Sequence, residues 1–121
     1  MKKKISYRKL AKECALIASK KKGRRIIVLD MRKLTPFVDY YVICSGRSNI
    51  HVSSIAQALI QELKKSGVIP IHREGISLAQ WILLDYSGVM IHVFKEDMRK
   101  YYKIEELWAS AKKVEWKKKK K

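Results

Sequence analysis

The chain predicts a single α/β domain: a mixed five-stranded sheet flanked by helices. Three observations carry this. Segments with helical apolar spacing alternate with short β-branched and aromatic runs, the order that builds a sheet covered by helices. Two of those runs are joined by a two-residue Ser-Gly loop, which makes an antiparallel hairpin and rules out an all-parallel sheet. No repeat, long linker or second compositional zone interrupts the 121 residues, so one domain is expected over residues 1–116, followed by a disordered lysine tail at 117–121.

The elements follow in order. Ser6 is placed to cap a helix whose apolar positions Tyr7, Leu10, Cys14 and Ile17 recur at helical spacing, closing near Gly23. "RIIVLD" (residues 25–30) reads as a strand, Pro36 breaks the chain, and "DYYVICS" (39–45) reads as a second strand. A helix capped by Ser48 then carries Ile55, Leu59 and Leu63 on one face and ends before Gly67. "VIPIHRE" reads as a third strand, whose Pro70 suits a sheet edge or strand start. The hairpin supplies two more strands. "KEDMRKYY" and "IEELWASAKKVEW" are expected as short helices.

With Ser87-Gly88 as the loop, Tyr86 faces Val89, Leu84 faces Ile91 and Ile82 faces Val93 on one side. That side is apolar and is expected to be core. The other side pairs Asp85 with Met90, Leu83 with His92 and Trp81 with Phe94. It is neither clean core nor an ordinary solvated face. Trp and Met with a few polar groups is the composition enriched where proteins bind one another, and the equal alternative is a face covered by helices with Asp85 or His92 satisfied locally.

The net charge of +17 is concentrated at the ends. Residues 1–33 hold 13 Lys/Arg against 2 acids, residues 34–116 hold 10 against 9, and residues 117–121 are all lysine. A nearly neutral body argues against a basic groove that reads bases. Basic ends fit phosphate contacts beside a partner that the body recognises separately, or a tail that is simply solvated and keeps the chain soluble. No apolar run reaches transmembrane length and no signal-peptide core follows "MKKK", so an intracellular chain with no membrane partner is expected.

Chemistry has few footholds. Cys14 and Cys44, with His51, His72 and His92, show no zinc-like spacing and read as buried side chains rather than ligands. Asp85 and His92 lie near one another across the hairpin, as an acid and a base could, but only diagonally and with no nucleophile elbow or second carboxylate. "CSGRSN" (44–49) lies between strand and helix, where a phosphate could meet the helix N-terminus, yet it lacks both GxGxxG and GxxxxGK[ST]. No catalytic, cofactor or metal residue is therefore expected.

The chain resembles the Iojap or ribosomal silencing factor (RsfS) family between about Ile26 and Trp108. Asp30, Asp39-Tyr40, Ser45-Gly46, Ser48-Asn49, Glu74-Gly75, Trp81, Leu84-Asp85-Tyr86, His92-Val93-Phe94, Met98-Arg99, Tyr102 and Leu107-Trp108 carry the likeness. It implies a nucleotidyltransferase-like core without catalytic acids. It also implies a cytoplasmic, non-enzymatic repressor of translation that binds the fourteenth protein of the large ribosomal subunit and blocks subunit joining. The partner-binding residues it implies are Trp81, Leu83, Asp85, Tyr86, Met98, Arg99 and Tyr102, of which Tyr86 falls on the core side of the hairpin. Lys103, Arg47 and the lysine-rich ends depart from the family's usual pattern and point to added ribosomal RNA contact. Two other readings stay open: a nucleotide-binding or nucleotidyltransferase-like enzyme, and an RNA-binding assembly factor. Dimerisation of the free protein through the same face is also left open.

Overall fold

The computed structural model describes residues 6–107 and 109–117. Helix α1 (Tyr7–Lys20) begins at Ser6, whose Oγ accepts the Lys9 N–H at 3.3 Å. Strand β1 (Arg24–Asp30) leads through a Thr-Pro turn to β2 (Tyr40–Gly46). Helix α2 (Asn49–Lys65) is capped by Ser48, whose Oγ accepts the His51 N–H at 3.1 Å. Then come β3 (His72–Glu74), β4 (Trp81–Asp85), β5 (Val89–Lys95), α3 (Glu96–Tyr102), α4 (Ile104–Leu107) and β6 (Lys112–Val114). Both serine caps stand where the sequence places them.

The strands form one sheet in the order β3-β4-β5-β2-β1-β6. Neighbours are antiparallel except β2 and β5, which run parallel from Tyr40↔Val89 to Gly46↔Lys95. The sheet is mixed, as expected, with six strands rather than five. The additional strand is β6, in a stretch expected to be helical. Val28 pairs with Val114 and Asp30 with Lys112, so β6 covers the β1 edge that would otherwise present unpaired backbone groups. Val114 and Trp116, two apart, both turn toward the main core, which is strand rather than helix spacing. Strand β3 is shorter than expected, and Pro70 lies ahead of it.

Helices α1 and α2 pack on one another and on one face of the sheet. Between them and the sheet lies the main core: Leu10, Cys14, Val42, Ile55, Leu59, Ile82 and Ile91 are all buried there. Burying a side chain of this size is worth roughly 1.5–3 kcal/mol. Cys14 and Cys44 are both buried free thiols, and burial pushes the Cys44 thiol up to about 12. The opposite face carries a smaller cluster, including Leu29, Met31, Ile43, Phe94 and Ile104, under α3 and α4. No helix among the described residues is long and apolar enough to cross a membrane. Residues 118–121 of the lysine tail, and Trp108, lie outside the described residues.

Candidate functional site

The hairpin register is the one its sequence predicts. Trp81 pairs with Phe94, Leu83 with His92 and Asp85 with Met90, while Ile82 and Leu84 pair with Val93 and Ile91 in the core. The parallel pairing with β2 then extends the mixed face sideways, setting Tyr41 beside Met90 and Ile43 beside His92. Sequence reasoning does not single out Tyr41. Its alternation with Ile43 is visible, but its neighbours depend on a parallel pairing between distant segments.

Trp81 is the centre of this face. It is half-buried, stacked on Phe94 with ring centroids 4.8 Å apart and tilted against Tyr102 at 4.8 Å. Its Nε1–H donates to His92 Nδ1 at 3.1 Å, so the neutral imidazole carries its own proton on Nε2. His92 also meets the Tyr41 ring edge-on at 4.7 Å. Glycine at position 75 is required beneath Trp81: its φ is +79°, and a Cβ there would collide with the Trp81 carbonyl oxygen.

Helix α3 lays Met98 and Tyr102 over the end of the cluster. Glu96 and Asp97 in its first turn suit its dipole. Arg99 anchors it: Nη1 donates to Ser45 Oγ at 2.8 Å and to the Arg24 carbonyl at 3.3 Å.

The seven partner-binding residues therefore divide by position. Trp81, Leu83, Asp85 and Met98 are half-buried and Tyr102 is exposed, all reachable from solvent. Arg99 is 2% exposed and Tyr86 4% exposed. These two stand inside the fold, apart from the five that solvent reaches. Tyr86 sits on the core side of a register that holds, and Arg99 spends its guanidinium inside the fold. Exposed Phe37 and Tyr101, at 87% and 77%, escape sequence reasoning because side-chain exposure in a turn and on a short helix leaves no periodic signal.

The groups that the sequence left open for chemistry are engaged within the fold. Asp85 accepts the Ser87 N–H at 2.8 Å, closing the hairpin turn, and lies opposite Met90, not His92. His92 is buried, and burial pushes its pKa down to about 4. At "SGRSN", the Arg47 N–H donates to His51 Nδ1 at 2.9 Å, so one backbone donor of that loop is already used. Among the described residues no group of three or more His, Cys, Asp or Glu is placed to hold a metal ion. What the arrangement offers is an aromatic, partly polar surface on a rigid sheet.

A family model described as "Ribosomal silencing factor during starvation" matches residues 4–121. The ribosomal silencing factor RsfS of Bacillus subtilis is 33% identical over 107 residues, covering 88% of this chain and 91% of the relative. RsfS of Halalkalibacterium halodurans is 36% identical over 95 residues, covering 78% and 81%. A crystal structure of a Chromobacterium violaceum protein superposes with a TM-score of 0.84 at 32% identity, covering 87% of this chain and 88% of that one.

Proposed function

Because this chain belongs to the ribosomal silencing factor family, we propose that it represses translation by occupying the large ribosomal subunit and keeping the small subunit from joining. The contact is with the fourteenth protein of the large subunit, and the contacting surface is the Trp81 face. One observation carries this reading: Trp81, Phe94, Tyr102 and Met98 form an aromatic and thioether cluster, with Trp81 and Met98 half-buried and Tyr102 exposed, and Leu83 is half-buried two residues along β4. Such clusters, ringed by polar groups, are where binding energy concentrates. Trp81 and Leu83 are the apolar anchors, and Asp85, at the rim, sets register through a charged hydrogen bond. The action is stoichiometric and steric, without turnover, and its place is the cytoplasm. In the absence of the subunit, the same face is where a second copy would pack.

Sedimentation with isolated subunits tests the reading, followed by a subunit-joining assay. The protein should travel with the large subunit and inhibit joining one-for-one. Trp81→Ala should weaken large-subunit binding by about 2 kcal/mol or more per folded molecule, near thirtyfold, and also lower the melting temperature, because buried His92 Nδ1 loses its donor. Unfolding of the variant with affinity per folded molecule intact would place Trp81 in the core alone. Equal sedimentation with free ribosomal RNA and with the large subunit would favour an RNA-binding assembly factor instead.

A further inference from the structure

We propose that the turn entering β1 and the adjacent β6 edge form a binding strip for an RNA phosphate backbone, held by Lys22, Arg25, Lys113 and Lys117. This strip is separate from the Trp81 face and goes beyond the silencing reading.

The fold brings these cations together from distant parts of the chain. Arg25 lines one cleft with Gly23, Ile26, Trp116 and Lys117, and a second cleft with Lys113. Lys20, Lys21 and Lys22 are exposed at the end of α1, immediately before it. One or two lysines would suffice to offset the negative end of a helix. The three lysines there more than meet that need. Glu106 shares the second cleft with Arg25 and Lys113, Glu115 lines the adjoining cleft with Lys113 and Lys117, and Glu96 is engaged with Arg24 at 2.8 Å.

Backbone geometry supplies a second, independent observation. Lys22 and Arg25 both occupy the left-handed region, at φ 62° and 47°. Glycine is relaxed there and a longer side chain is strained. At Arg25 the register of β1 against β2 also shifts, a bulge of the kind that re-aims a side chain. The chain thus keeps a cation at two positions where local stability favours glycine. The turn is also held in shape: His51 Nε2 lies 2.8 Å from the Lys21 carbonyl oxygen, and Trp116 Nε1 donates to the Ile26 carbonyl at 3.2 Å. Preorganised cations lose little entropy on binding.

The occupant follows from the chemistry. Trp116 is half-buried against the core with Lys117 5.8 Å from its ring centre, and with Ile26 and Ile27 it floors the cleft beneath the lysines rather than standing out as an apolar anchor. An acidic protein would need such an anchor for its hot spot. A phosphate backbone needs only spaced cations, with Arg able to grip two phosphate oxygens.

The test compares the full chain with Lys113→Gln/Lys117→Gln and with Lys22→Gly/Arg25→Gly, using a short RNA hairpin over a range of salt. Removing one cation from a phosphate flattens the plot of log affinity against log salt by about one unit, so each pair should flatten it by about 2. The glycine pair should melt at the same temperature or higher while doing so. Unchanged slopes in both variants overturn the proposal. A wild-type chain that binds the hairpin but does not sediment with large subunits keeps the strip and removes the silencing reading.

Discussion

His92 is 4% exposed, with Nδ1 taken by Trp81 and Nε2 buried without a partner among the described residues. Burial holds its pKa near 4, below the ordinary 6.5. Between those values the unfolded chain takes a proton that the folded chain refuses. Stability contributed by the neutral ring is therefore complete above about pH 6.5 and is lost as pH falls toward 4, by about 3 kcal/mol over the window. Asp30, held down to about 2 by its hydrogen bonds from Arg32, loses its own contribution only at lower pH. Urea melts of wild type and His92→Gln should diverge between pH 6.5 and 4, and parallel profiles would refute the account. Tyr86 is the second buried polar group, its hydroxyl also without a partner among the described residues and pushed up to about 12 by burial. Tyr86→Phe should be neutral or stabilising by up to about 1 kcal/mol, because no hydrogen bond is removed. Ribosome affinity should be unchanged; a tenfold loss at equal stability would return Tyr86 to the contact surface.

Helix α3 has seven residues and holds its place through Arg99, which joins it to Ser45 on β2 and to the Arg24 carbonyl on β1. Arg99→Ala removes a large buried side chain and takes a donor from Ser45, a cost of about 3 kcal/mol. Hydrogen exchange should then show α3 opening first, taking Met98 and Tyr102 away from the face. A drop in ribosome affinity at unchanged stability and α3 protection would mean that Arg99 touches the partner directly. The sequence reveals elements like the β4–β5 hairpin well, because a two-residue loop and strict alternation fix every pair locally. It reveals β6 poorly. That three-residue strand owes its existence to the open β1 edge, far back in the chain where Asp30 meets Lys112 and Val28 meets Val114, and its local spacing permits a helix equally well. Arg99 defeats sequence reasoning for a related reason. A Met-Arg pair on a short helix has no period that says which of the two points inward, and partners distant in the chain, Ser45 and the Arg24 carbonyl among them, receive Arg99.

Across the whole molecule, the proposed recognition face and the cations Arg25, Lys113 and Lys117 sit at different ends of one sheet. From β4, which carries Trp81, to β6, beside the lysines, the strand order counts four steps, roughly 19 Å at the usual strand spacing. The chain's ends hold nearly all its net charge, whereas residues 34–116 hold 10 cations against 9 acids. Removing Lys117–Lys121 takes away up to five phosphate contacts, and partial engagement should flatten the salt dependence of large-subunit binding by about 1 to 3 units. The truncated chain should still select the large subunit and block joining, since phosphate contacts position without selecting. Sites this far apart with no shared side chain contribute independently, so the losses from Trp81→Ala and from the truncation should add to within about 0.5 kcal/mol at any one salt concentration. Binding titrations of the four proteins in the cycle measure this directly. A coupling above about 1 kcal/mol would mean that the lysines and the Trp81 face grip one continuous surface, and the division of labour between body and ends would fail.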